Sequence, residues 1–254
     1  MASIQTSKLQ NAWAASDERV IEALRDSEVT DLRLVADSSN YVFVADLQHP
    51  DLGAGLGVYK PERGEQPLHD FPYGTLYQRE VAAYEYSRLL GWDAVPPTVE
   101  RDGPHGIGSM QLFVPHNPSD HYFELRERDA YDDQFAQIAA FDLVANNADR
   151  KGGHLLLGAD ERIWCIDNGL CFNTVHKVRT VIWDYSGIEL PEDWQADLRR
   201  VRDCLVDGGE GAEVVSSLLA EDEVAALIRR SDELLGYPVL PEMFPYRCVP
   251  WPLI

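Results

Sequence analysis

The stretch Phe141–Phe172, FDLVANNADRKGGHLLLGADERIWCIDNGLCF, decides how this chain is read. It opens as the tail of an apolar helix and passes through a polar loop. It continues as strand, turn and strand before Asp167-Asn168-Gly169. Asp149 and Asp167 therefore stand at the ends of short apolar runs with a hairpin between them. Phosphoryl transfer calls for such a layout. One carboxylate orients the acceptor hydroxyl, and another, next to a glycine, holds the metal on the nucleotide phosphates. An Asp in a helix-to-strand loop is often only a turn residue. Two of them, flanked by Arg-Lys-Gly-Gly-His and Asn-Gly, favour a functional pair.

The segments NADRKGGH and IDNGLCF resemble the catalytic and metal-binding loops of the phosphatidylinositol 3-/4-kinase superfamily. Over roughly residues 18 to 240 the chain is similar to a family of bacterial phosphatidylinositol 3-/4-kinase-like proteins, found mainly in actinobacteria. The resemblance implies an α+β, two-lobed kinase-like fold with a small antiparallel sheet and a mainly helical second lobe. It implies ATP and Mg²⁺ or Mn²⁺ between the lobes, with Asp149 and Lys151 as catalytic groups and His154 and Asp167 as metal ligands. It also implies a hinge in which backbone around Leu112, Phe113 and Val114 meets the adenine. The chain departs from the family at His154, where related kinases usually carry Asn. Imidazole suits Mn or Zn better than Mg, so three readings stand for His154: a direct ligand, the holder of a metal-bound water, or a residue that has left metal binding.

Working outward, Asp17 is placed to cap a helix with Val20, Ile21 and Leu24 on one side. Leu32 to Val35 and Tyr41 to Val44 read as strands joined by Ser38-Ser39-Asn40. The run AGLGVYKP reads as a third strand ending at Lys60. Strand, polar turn, strand and a strand ending in lysine is how a kinase N-lobe begins, with Ser38, Ser39 and Asn40 over the phosphates and Lys60 holding two of them. A G-x-G-x-x-G loop is absent. Residues 61–75 lack periodicity and read as a loop near the site's mouth. YQREVAAYEYSRLLG is a helix stopped by Gly91, with Glu80 as the expected partner of Lys60 and Glu85 as its competitor. Val99–Arg101 and Ser109–Val114 read as two further strands, and Pro115 and Pro118 put a lobe boundary near 115–120. The expected division is a flexible arm at 1–16, an N-lobe at 17–116 and a C-lobe at 117–254.

A long apolar helix from Asp129 to Ala145 delivers the catalytic loop. Lys177 and Arg179 follow the second loop, where kinases keep a substrate segment. Helices are expected at 191–206, about 211–219 and 221–236, and the aromatic, Pro-rich tail is expected to pack back on the body.

Composition narrows the partners. A net charge of −21, from 22 Lys and Arg against 43 Asp and Glu, repels nucleic acid and anionic membranes. The four cysteines form no C-x-x-C pair. Together with the absence of a long apolar leader, they point to a reducing cytoplasm. The expected activity is an ATP- and metal-dependent phosphotransferase. Its hydroxyl acceptor is expected to be a small molecule or protein rather than an acidic lipid, with no stable membrane association. The alternatives are a nucleotide-binding pseudokinase that regulates a partner, and a kinase-fold nucleotidyltransferase.

Overall fold

The computed structural model describes residues 9–35 and 40–254. Ser38 and Ser39 of the expected phosphate turn lie outside the described residues; Asn40 lies within them. The first lobe is a five-stranded antiparallel sheet in the order β1-β2-β3-β5-β4. Its strands are β1 (Glu28–Leu34), β2 (Phe43–His49), β3 (Gly53–Pro61), β4 (Thr98–Gly103) and β5 (Gly106–Leu112). Alternation along β3 sends Gly55, Gly57 and Tyr59 to one face and Val58 and Lys60 to the other. The first face is the lobe's core, where Phe43, Leu47, Tyr59 and Met110 pack under helix α1 (Val20–Asp26) through Val20 and Leu24. Burying side chains of this size contributes roughly 1.5–3 kcal/mol each.

Two strand glycines that carry no signal in the sequence are explained by this packing. A Cβ on Gly55 would lie 2.2 Å from the Trp13 indole, and one on Gly57 would lie 2.6 Å from Met110 Sδ. Trp13 is buried, and Asn11 bonds to both β3 and the segment after β5. The flexible arm expected over 1–16 is thus corrected for its second half, which is pinned because an indole needs apolar cover. A second correction concerns Tyr41, expected within a strand. Its N–H bonds to Gly64 O, outside the ladder, and β2 begins at Phe43.

Helix α2 (Leu76–Leu90) lies against β4 and β5 and ends at Gly91, whose φ of 75° is the left-handed cap expected of a glycine. Its acidic and basic residues divide sharply. Glu80 and Arg79 are buried, whereas Glu85 pairs with Arg88 on the outer side.

The second lobe is built on α4 (Asp132–Ala145), preceded by the short α3 (Tyr122–Leu125) and a single 3₁₀ turn at Asp129–Tyr131. Helices α5 (Glu192–Asp207), α6 (Ala212–Leu218) and α7 (Glu221–Gly236) complete it within two residues of expectation. Their apolar faces meet α4 in one core with Phe135, Phe141, Phe172, Leu198 and Leu227. The catalytic hairpin is β6 (Leu155–Leu157) and β7 (Ile163–Cys165), with Cys165 fully buried. The tail returns over the lobe, where Cys248 O accepts from Thr180 N at 3.0 Å. Among the described residues no helix is long and apolar enough to cross a membrane.

Candidate active site

Four elements meet in one cleft of about 860 Å³, open mouth included. Lys60 comes from the end of β3, Glu80 from α2, Asp149 and Lys151 from the loop after α4, and Asp167 from the turn after β7. Asn40 and Glu65 close the far side. Lys60 Nζ lies 2.5 Å from Glu80 Oε1 and 2.9 Å from Asp167 Oδ1. The helix register read from the sequence is therefore right, and Glu85 is not the partner. Burial opposes the Lys60 charge, but the Asp167 and Glu80 carboxylates outweigh it and raise the ammonium above its ordinary value. The same Lys60 ammonium beside Asp167 holds that carboxyl well below the usual carboxylate range. Asp167 is thus anionic at any physiological pH, and half of its side chain is open. Its φ of 59° is a left-handed value that costs a non-glycine residue energy. The turn holds it there to aim the carboxylate into the cleft.

Asp149 sits across from this pair. Its N–H bonds Asn147 Oδ1 at 2.9 Å, and its Oδ2 lies 3.1 Å from Lys151 Nζ. Burial raises the Asp149 carboxyl and Lys151 pulls it down; the net shift is upward, toward a better proton acceptor. His154 reaches Asp167 across the hairpin, Nε2 to Oδ2 at 3.3 Å. Its other nitrogen, Nδ1, accepts from Lys151 N–H at 3.3 Å. Burial pushes the imidazole pKa down to about 4, so the ring is neutral. Among the described residues, no group of three or more His, Cys, Asp or Glu side chains could hold a metal ion.

The expected hinge residues Leu112, Phe113 and Val114 are all buried and do not line the cleft that holds Lys60. Phe113 is occupied on both backbone groups: its N–H donates to Leu56 O, and its O accepts from Asn11 Nδ2. Leu112 N–H donates to Pro97 O. Lys177, a candidate substrate contact, is tied to Asp70 instead. Arg179 stays beside the Asp149 loop because its backbone is bonded on either side of Asp149, N–H to Asn147 O and O from Arg150 N–H. Its Nε is buried without a partner.

Sequence reading missed the frame behind these groups. Arg150, fully buried, bonds both Asp142 oxygens, Ile166 O at 2.7 Å and Asn168 Oδ1 at 2.7 Å. Asn168 N–H in turn donates to Glu80 Oε2 at 3.0 Å. One chain of bonds thus joins the loop of Asp149, the loop of Asp167 and the carboxylate that braces Lys60. The available signal was the Asp142-to-Arg150 spacing, which places an acid on the last turns of an apolar helix.

Comparison with known proteins agrees with this arrangement. The family model described as phosphatidylinositol 3- and 4-kinase matches residues 79–192, which hold Glu80, Asp149 and Asp167. Protein Rv2133c of Mycobacterium tuberculosis is 37% identical over 269 positions, covering 93% of this chain and 95% of that protein. The crystal structure of the Golgi casein kinase superposes with a TM-score of 0.54 at 15% identity, covering 87% of this chain and 74% of the other. The structure of hydra Fam20 with sugar gives 0.53 at 15% identity, over 92% and 91% of the two chains. At such identity these two likenesses establish the two-lobed kinase fold alone. With the family match and the mycobacterial relative, the chain belongs to a bacterial phosphatidylinositol 3-/4-kinase-like family of the kinase fold.

Proposed function

We propose that this protein is an ATP-dependent phosphotransferase that acts on a hydroxyl acceptor. The observation that carries the reading is the convergence of Lys60, Glu80, Asp149 and Asp167 in one cleft. Lys60 is the cation for the nucleotide phosphates, and Glu80 keeps it aimed. Asp149, held by Asn147 and raised in pKa by burial, takes the acceptor proton as the hydroxyl oxygen attacks the γ-phosphorus and ADP departs. Lys151, 3.1 Å from Asp149 and in the lining of the cleft, faces the charge that develops on the transferred group.

A divalent cation fits at Asp167, whose carboxylate is ionised and half open, with phosphate oxygens and water completing the shell. Bound there, it would neutralise phosphate charge. A Golgi casein kinase structure of the same fold holds Mn and ADP, which supports the use of nucleotide and metal. The net charge of −21 supports a small-molecule or protein acceptor over an acidic lipid.

One observation favours the pseudokinase reading. His154, in place of Asn, offers the site a proton rather than a lone pair in this geometry. Incubation with ATP labelled at α or at γ decides. Transfer of γ label that is lost in Asp149→Asn is expected. Transfer of α label would make the protein a nucleotidyltransferase. A nucleotide-induced rise in Tm without transfer would make it a pseudokinase, and the absence of any rise with ATP and Mg²⁺ or Mn²⁺ would remove both kinase readings.

A further inference from the structure

Among the described residues three arginines have buried side chains: Arg150 and Arg79, at most 1% exposed, and Arg230, at 8%. Arg150 owns the Asp142 carboxylate and Arg79 owns Glu223. Arg230, on α7, owns none among the described residues. Its Nε donates to Val144 O at 2.7 Å and its Nη1 to Asn173 O at 3.1 Å, while Nη2 has no hydrogen-bond partner. A buried guanidinium without a counter-ion is costly. It is odd in a chain with 43 acidic residues against 22 basic ones. Burial pushes its pKa down to about 10, which still leaves it charged at neutral pH.

Arg230 lines a shallow groove of about 630 Å³, open mouth included, distinct from the cleft of Lys60 and Asp167. The groove's walls are mostly hydrocarbon and aromatic, from Leu143, Leu234, Val239, Pro241 and Phe244, with the His176 imidazole set edge-on against Phe244. Its rim carries Glu233 and the largely exposed Tyr237. Three requirements on an occupant follow. It must bring an anion, because Arg230 lacks one. The anion must be single, because Glu233 stands at the rim and the whole chain is acidic. The rest of the occupant must be apolar, because a peptide's amide groups would enter these walls without partners.

We propose that this groove binds a fatty carboxylate, with the hydrocarbon chain against Leu143, Leu234 and Val239 and the carboxylate on the Arg230 guanidinium. The carbonyls that Arg230 holds belong to α4's last turn and to Asn173, and Asn173 O also accepts from Asn146 Nδ2 at 2.8 Å. Three residues beyond Asn146 lies Asp149. The groove is thus anchored on the segments that carry the catalytic loop.

Calorimetry and thermal unfolding of the whole chain with decanoate and with 1-decanol, at equal concentration below micelle formation, test the proposal. Decanoate is expected to bind at least tenfold more tightly than the alcohol and to raise Tm. Arg230→Met is expected to erase the difference. Because that variant also loses two structural hydrogen bonds and can fail to fold, Val239→Trp serves as the second: it fills the groove and is expected to abolish binding while the fold persists. Equal affinity for acid and alcohol would reduce the site to a greasy surface and overturn the proposal. So would decanoate binding that survives Val239→Trp, the absence of binding, or tighter binding of a hexapeptide with a free C-terminal carboxylate.

Discussion

The His154 ring receives the Lys151 N–H on Nδ1, so the neutral imidazole carries its proton on Nε2, 3.3 Å from Asp167 Oδ2. A nitrogen that carries a proton has no lone pair for a cation. We propose from this geometry that the Nε2 proton steadies Asp167 and that His154 is not a ligand beside it. The donor reading predicts that His154→Asn leaves the preference between Mn²⁺ and Mg²⁺ unchanged in a calorimetric titration with nucleotide present. A shift from Mn²⁺ toward Mg²⁺ would restore the ligand reading. The sign of the pH effect follows from the pKa of about 4 against an ordinary 6.5. The unfolded chain takes up the proton that the folded ring refuses, so the neutral-ring contribution is complete above the unfolded pKa. It is lost as pH falls toward the folded value. In metal-free buffer, the unfolding free energies of wild type and His154→Asn should therefore diverge by up to about 1.4 kcal/mol per pH unit between those two values. The residue identities at this position were legible in the sequence; the tautomer was not, because it depends on a backbone N–H delivered by a 3₁₀ turn.

At the scale of elements, the catalytic hairpin was the most legible part of the chain. Short apolar runs around a Gly-Ala-Asp-Glu turn leave few other arrangements, and the Lys60 strand and the Glu80 helix each carry their own period. What the sequence hid is the use of charge inside the second lobe. Arg79, Arg150 and Arg230 look like solvated residues on helices and loops, because burial of an arginine is decided by partners remote in sequence, such as Glu223 or Asn173. The hub at Arg150 has a measurable consequence. Arg150→Met strands a fully buried Asp142 carboxylate, and breaking such a pair costs about 3–5 kcal/mol. Urea unfolding should register that loss, and the double variant Asp142→Leu, Arg150→Met should recover most of it, since no charge is then left uncompensated. If the double variant is as unstable as the single one, the bonds to Ile166 O and Asn168, rather than the ion pair, hold the two loops.

For the molecule as a whole, the question is what keeps the two lobes in register across one cleft. The bonds from Lys60 to Asp167 and from Asn168 to Glu80 span the mouth. Behind it, Asn11 does the corresponding task. Its Nδ2 donates to Leu56 O on β3 and to Phe113 O in the connection between lobes, each at 2.9 Å, and its Oδ1 accepts from Leu56 N at 3.0 Å. One side-chain amide thus ends the β3–β5 ladder and fixes where the connection leaves the sheet. Such a role was invisible in a polar N-terminal segment without periodicity. Asn11→Ala removes these three bonds and a fourth, from Trp13 N–H to Oδ1 at 3.2 Å, and should cost about 1–3 kcal/mol by the penalty for unpaired buried groups. It should also weaken nucleotide binding, because the roof strand carrying Lys60 is no longer tied to the connection. Asn11→Asp separates this account from simple loss of packing. The carboxylate keeps an acceptor for Leu56 N–H but sets a negative charge against two carbonyl oxygens. It should therefore unfold at lower urea than Asn11→Ala, although it is closer in shape to the native residue. If Asp is tolerated as well as Ala, donation by Nδ2 does not hold the lobes, and the packing of Trp13 on Gly55 must.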